Sequence, residues 1–167
     1  MKGTISLTST LGQGACFTIE LPAPPASAFE AKIDATKPPV DFSKILRILV
    51  AEDVAPSRML LTLMLETMGH RVTQAENGLE ALQYASEQSF DLILMDLQMP
   101  IMDGITATRR IREQNGPNAA TRILAVSANA DIEGVPGFAG AGFDDRLLKP
   151  VAPERLGFLM ATMTAKG

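Results

Sequence analysis

Three short apolar runs constrain this chain more than any other feature: Ile48-Leu49-Val50-Ala51, Leu92-Ile93-Leu94-Met95 and Ile123-Leu124-Ala125-Val126. Each lacks a polar interruption, so each predicts a strand buried on both faces, the mark of a parallel sheet covered by helices. Segments of helical spacing lie between them. Pro56 opens one, with Leu60, Leu63, Met64 and Met68 in phase, and Gly69 stops it. Arg71 to Ala75 reads as a short strand, and Asn77-Gly78 turns into a second helix with Leu79, Leu82 and Ala85 on one side. A third helix carries Ile105, Thr108 and Ile111, Leu147-Leu148 marks a fifth strand, and Pro153 starts a last helix through Leu156, Leu159, Met160 and Met163. Five strand–helix repeats predict an α/β fold, a five-stranded doubly wound parallel sheet with helices on both faces, over residues 46–163. Nine methionines fall mostly on these helix faces, where core filling accounts for them.

Two stretches break the pattern. The fourth helix should occupy Asp131 to Gly142, but that segment holds Gly134, Gly137, Gly140, Gly142 and Pro136. An interior Gly costs about 1 kcal/mol against Ala and a Pro about 3, so a short, distorted or mobile helix is expected. At the other end, Ile5 and Leu7 alternate with polar residues, as do Phe17, Ile19 and Leu21, around a turn containing Gly12 and Gly14. This predicts an N-terminal β-hairpin-like appendage over residues 1–22. Residues 23–45 hold Pro24, Pro25, Pro38 and Pro39 among small and charged residues, the composition of a linker. Residues 164–167 are a tail.

Composition narrows the chemistry. Cys16 is the only cysteine and His70 the only histidine, so neither a disulfide within the chain nor a His- or Cys-rich metal cluster is available. His70, in a turn after Gly69, is expected to face solvent. No apolar run approaches the roughly 18 residues of a membrane span, and no signal segment opens the chain, so a cytoplasmic fragment without membrane contact is expected. The net charge is −4. Residues 1–45 carry four basic and four acidic groups, which places the excess on the later part and argues against nucleic acid as a partner.

In a parallel sheet all carboxyl strand ends share one edge, where open α/β sheets build their sites. The first strand there ends in Glu52-Asp53, the third in Asp96, the fourth in Ser127, and Lys149 follows the fifth. Carboxylates crowded together repel unless a cation relieves them. With only oxygen ligands on offer, that cation is hard, Mg2+ or Mn2+ in its place. One acid is then free to act as a nucleophile toward a phosphoryl group, with Lys149 and the Ser127 hydroxyl completing an electrostatic clamp. Asp103, beside Gly104, reads as a helix cap rather than a catalytic group.

Glu52-Asp53, Ala75-x-Asn77-Gly78-x-Glu80-Ala81, Asp96-x-x-Met99-Pro100-x-Met102-Asp103-Gly104, Ser127-Ala128 and Lys149-Pro150 together resemble the response-regulator receiver domain, over residues 46–163. The resemblance implies the flavodoxin-like receiver fold. It also implies that Asp96 accepts a phosphoryl group from phosphohistidine and that Asp53, Asp96 and the Gln98 backbone carbonyl bind Mg2+, with Glu52 helping through water. By the same resemblance Ser127 hydrogen-bonds the phosphoryl oxygen, small Ala128 leaves the acceptor accessible, Lys149 pairs with the phosphate, and a cis peptide precedes Pro150. Arg146 stands where the family commonly has Tyr or Phe, which puts the usual aromatic switch in doubt.

Gly3, Ile5, Ser9, Gly12, Gly14, Phe17, Ile19, Leu21 and Pro22 resemble the last two strands of a histidine-kinase ATP-binding domain, without its nucleotide-holding parts. The order of tail, linker and receiver is that of a hybrid histidine kinase. The implied partners are a histidine-kinase phosphodonor domain and a histidine-containing phosphotransfer protein, since no output domain follows residue 163. Two other readings stand beside this one. A receiver-like interaction module that is never phosphorylated should have lost an acid or the lysine, and none is lost. A phosphohydrolase would want a second aspartate where Gln98 stands. Self-phosphorylation from small donors and slow self-dephosphorylation are the most enzymatic activity expected of the fragment.

Overall fold

The computed structural model describes residues 4–10, 14–20, 45–129 and 134–164. The chain divides into two compact units, residues 1–39 and 40–167. In the first, β1 (Thr4–Thr10) pairs antiparallel with β2 (Gly14–Glu20), with Ile5 opposite Ile19 and Leu7 opposite Phe17. The expected turn at Gly12, residue Leu21, most of the expected linker and the tail beyond Thr164 lie outside the described residues.

The second unit is a five-stranded parallel sheet. Its elements run β3 (Arg47–Ala51), α1 (Ala55–Thr67), β4 (Arg71–Ala75), α2 (Gly78–Glu87), β5 (Leu92–Asp96), α3 (Gly104–Glu113), β6 (Arg122–Ser127), β7 (Asp145–Leu148) and α4 (Pro153–Thr164). The strand order is β4-β3-β5-β6-β7, so the chain winds first to one edge and then back to the other. That is the doubly wound, flavodoxin-like order.

Successive side chains of a strand point to opposite faces, which is why uninterrupted apolar runs suit a sheet covered on both sides. Ile48, Val50, Leu92, Leu94, Leu124 and Val126 meet Leu61 and Leu65 of α1 and Leu156, Leu159 and Met160 of α4. Leu49, Ala51, Ile93, Met95 and Ile123 face the other way, against Ala81, Leu82 and Ala85 of α2 and Ala107 and Ile111 of α3. Each fully buried large aliphatic side chain contributes about 1.5–3 kcal/mol.

Three expectations need correction. Leu60 and Leu63 of α1 are 56% and 57% exposed, while Leu61 and Leu65 are buried. The segment from Met59 to Leu65 is apolar almost all round, so two helical phases satisfy it equally, and contact of Leu61 and Leu65 with the sheet selects between them. Likewise Leu79 is half exposed, and α2 buries Leu82 and Ala85. His70 does not face solvent. It is 5% exposed, and its Nδ1 accepts from the Leu46 amide at 3.4 Å. Gly69, at φ +87°, reverses the chain at once, and Arg71 N donates to Leu46 O at 2.8 Å, which draws His70 under the start of the sheet. Burial holds the imidazole below the ordinary histidine pKa.

The third correction concerns the fourth helix. Residues 130–133 lie outside the described residues, and from Gly134 to Gly140 the chain makes turns, with φ +80° at Gly137 and +84° at Gly140. Four helices, not five, accompany the sheet among the described residues. Phe138 stacks on Phe143 with ring centroids 5.1 Å apart, and Arg112 Nε donates to Gly142 O at 2.9 Å.

Candidate functional site

The carboxyl ends of β3, β5 and β6 converge. Asp96 closes β5, Glu52 and Asp53 follow β3, Ser127 closes β6, and Lys149 follows β7. Oxygens of Glu52, Asp53 and Asp96 lie within 4.8 Å of one another. Glu52 and Asp96 are 1% and 5% exposed, whereas Asp53 is exposed. The Lys149 ammonium reaches across, 2.5 Å from Asp96 Oδ2 and 2.6 Å from Glu52 Oε2. One cation therefore faces three carboxylates.

The electrostatics follow from that ratio. Burial lifts Glu52 above the usual carboxylate pKa and the Asp96 charge adds to the lift, while Lys149 and the Val54 amide oppose it. For Lys149, burial acts downward but Asp96 and Glu52 outweigh it, so the ammonium is held above the usual lysine value. The donor set is all oxygen, two of its members are buried, and the lysine leaves it anionic. Such a set fits a hard divalent cation.

The loop after β5 is held by a close approach. Gly104 N donates to Leu97 O at 3.1 Å, and a Cβ on Gly104 would collide with the Asp96 carbonyl oxygen. Gln98 N donates to Asp96 Oδ1 at 3.1 Å. Ile101, 78% exposed, sits at φ +68°, a left-handed conformation that β-branched residues avoid. Asp103 caps α3, accepting from Thr106 N at 2.8 Å and Thr106 Oγ1 at 2.9 Å. Burial would raise its pKa, but those hydrogen bonds outweigh it and hold the carboxyl below the usual range. Across the site Ser127 Oγ accepts from Asn129 N at 3.0 Å, and Ala128 is exposed. The peptide between Lys149 and Pro150 is cis. Asp53, Asp96, Gln98, Ser127, Ala128 and Lys149 all border one cavity of about 1020 Å3. Arg146, on β7, is exposed.

One residue escaped the sequence reading. Arg58, in α1, is 9% exposed and donates through Nη1 to the carbonyls of Glu52 at 2.7 Å and Asp53 at 3.3 Å. Its Nη2 pairs with Glu76 Oε1 at 2.7 Å. The signal was present: a cation one turn from a helix N-terminus, where the helix dipole disfavours it.

Residues 48–159 match the model of the response regulator receiver domain. The chain belongs to that family. A solved receiver domain of a sensor histidine kinase from Pseudomonas aeruginosa PAO1 aligns with this receiver at 32% identity and TM-score 0.68, over 74% of this chain and all of that one. It carries a magnesium ion coordinated in its active site cleft. Two-component response regulator ORR41 of Oryza sativa subsp. japonica is 41% identical over 122 residues, 71% of this chain and 94% of the relative. Sensor protein EvgS of Escherichia coli K12 is 35% identical over 159 residues, covering 93% of this chain but only 13% of EvgS. Similarity to sensor kinases over that whole span makes this a receiver of the hybrid-kinase kind. Among the described residues no helix is long and apolar enough to cross a membrane.

Proposed function

We propose that this receiver is a phosphoacceptor in two-component signalling, with Asp96 as the acceptor. The observation that carries the reading is the Lys149 ammonium bridging Asp96 and Glu52 at the edge of an open cavity, with Asp53 beside them. An Asp96 carboxylate oxygen attacks phosphorus of a phosphohistidine. The O–P bond forms as the P–N bond breaks, and the imidazole leaves with the electron pair. Glu52, Asp53, Asp96 and the Gln98 carbonyl would hold Mg2+, or Mn2+ in its place, which when bound neutralises charge on the phosphoryl oxygens. Lys149 exchanges a carboxylate partner for a phosphoryl oxygen. Ser127 Oγ, already accepting from Asn129 N, has its own hydrogen to donate to that oxygen. Ala128 is too small to shield the acceptor.

The phosphoryl group adds about two negative charges and shifts an existing conformational equilibrium. We assign residues 1–22 to the remnant of a kinase ATP-binding domain and 23–45 to a linker. The parent is a hybrid histidine kinase, membrane-anchored upstream, with this part in the cytoplasm. The similarity to EvgS, which extends beyond residues 48–159, supports that assignment. A kinase phosphodonor domain supplies the phosphoryl group, and a histidine-containing phosphotransfer protein receives it.

Incubating the chain with Mg2+ and acetyl phosphate should yield a mass increase stable to acid and labile to base, and Asp96→Ala should abolish it. An adduct that survives Asp96→Ala sinks the assignment of the acceptor.

A further inference from the structure

The turn that carries Glu52 and Asp53 is poorly secured by the usual means. The N-cap of α1 is Val54, whose side chain makes no capping hydrogen bond, and the first turn contains no acidic residue. Three carboxylates with oxygens within 4.8 Å of one another repel, and Asp53 is the one of them that burial does not hold. Something must hold its backbone in place.

Arg58 is built to do so. A helical side chain leans toward the N-terminus of its helix, which carries this guanidinium back over the turn. There it takes the Glu52 carbonyl at 2.7 Å and the Asp53 carbonyl at 3.3 Å with one nitrogen, and Glu76 at 2.7 Å with the other. The Glu76 backbone is itself tied down, its amide donating to Glu80 Oε2 at 2.9 Å, while its side chain is largely exposed. The fork thus ties the β3–α1 turn to the β4–α2 turn. A buried cation at a helix N-terminus breaks a local electrostatic rule, and such breaks fall where function requires them.

We propose that Arg58 is a positioning residue for the divalent-cation site, holding the Glu52-Asp53 backbone so that the Asp53 carboxylate faces Asp96 before the ion arrives. The proposal rests on the reading of Glu52, Asp53 and Asp96 as that site. It assigns Glu76 the task of orienting the guanidinium from the neighbouring turn.

The test titrates the full chain with Mn2+, read by the electron paramagnetic resonance of free Mn2+, beside thermal unfolding in EDTA. Arg58→Met keeps the aliphatic stem and should weaken Mn2+ binding about tenfold, the scale of outer-shell support to a metal ligand. Arg58→Lys, lacking the planar fork, should weaken it about threefold. Asn118→Ala, a variant at the opposite end of the sheet, controls for lost stability and should leave Mn2+ affinity unchanged. Wild-type affinity in a folded Arg58→Met overturns the proposal. Should Arg58→Met fail to fold, wild-type affinity in Arg58→Lys overturns it. Equal weakening in Asn118→Ala also overturns it, since the effect is then general destabilisation. If the wild type binds Mn2+ but takes no phosphoryl group from acetyl phosphate, weakened binding in Arg58→Met still upholds the positioning role while the phosphoacceptor reading fails. If the wild type binds no Mn2+, both fail.

Discussion

At the amino end of the sheet, Asn118 accepts from Phe90 N at 2.8 Å and Thr121 Oγ1 at 3.0 Å, and donates to Ala85 O and Gln88 O. Arg112 donates to the carbonyls of Ala119, Thr121 and Gly142 and pairs with Asp144. Asp144 in turn accepts from Ile123 N, and Asp91 from Arg47 N. At the carboxyl end, three carboxylates cluster about one ammonium, which pairs with Glu52 and Asp96, and Asp53 and Asp96 border an open cavity. Both ends bury polar side chains, but around Asn118 and Arg112 donors meet acceptors within the fold, whereas at the carboxyl end the carboxylates outnumber the ammonium. The comparison separates polar groups that hold the sheet together from polar groups kept available for something that arrives. Buried groups left short of partners cost stability, and proteins retain such costs where a ligand will repay them.

The largest contrast between the two ends should appear in stability. Asn118→Ala leaves several buried backbone groups unpaired and should lower the unfolding free energy by about 3 kcal/mol or more in urea titration. Asp96→Ala removes a charge that Glu52 feels as repulsion. It should raise the melting temperature in EDTA. Equal losses in both variants would erase the distinction.

Acid should separate the ends more gently. His70, at the amino end, has its pKa lowered from 6.5, so the unfolded chain binds more protons as pH falls through that value and stability is lost. Glu52, at the carboxyl end, has its pKa raised from 4.5, so the metal-free folded chain takes up the proton first and acidification toward 4.5 restores stability. His70→Gln should flatten the loss and Glu52→Gln the gain, measured as melting temperature against pH. The smallest expected change is at the carboxyl end. Ile101→Asn puts a residue tolerant of φ +68° on an exposed site and should add about 1 kcal/mol.

The parallel sheet was legible because its strands are uninterrupted apolar runs, and the candidate site because polar residues stop those runs at one edge. Asp103 was legible as a cap because a helix N-terminus needs one locally. What escaped depends on partners distant in sequence. His70 is buried by a turn that brings it beneath Leu46, and Asn118 draws its meaning from residues 28 to 33 positions away. Arg58 could be seen as an oddity of its helix, but not as a bridge to Glu76. The phase of α1 was ambiguous in principle, since Leu60 and Leu61 are equally apolar and only contact with the sheet chooses between them.

Gly104 has a further consequence, for how this chain tolerates insertions and deletions. Its backbone lies so close to the Asp96 carbonyl that the loop between them works as a fixed-length spacer. One residue more or fewer between Asp96 and Gly104 moves the glycine out of the only gap that admits it. A side chain then enters that gap, and the end of β5 must yield. A one-residue insertion between Asp96 and Gly104 should therefore destabilise the fold more than one between Gly137 and Gly140, where an added Cβ meets no backbone atom.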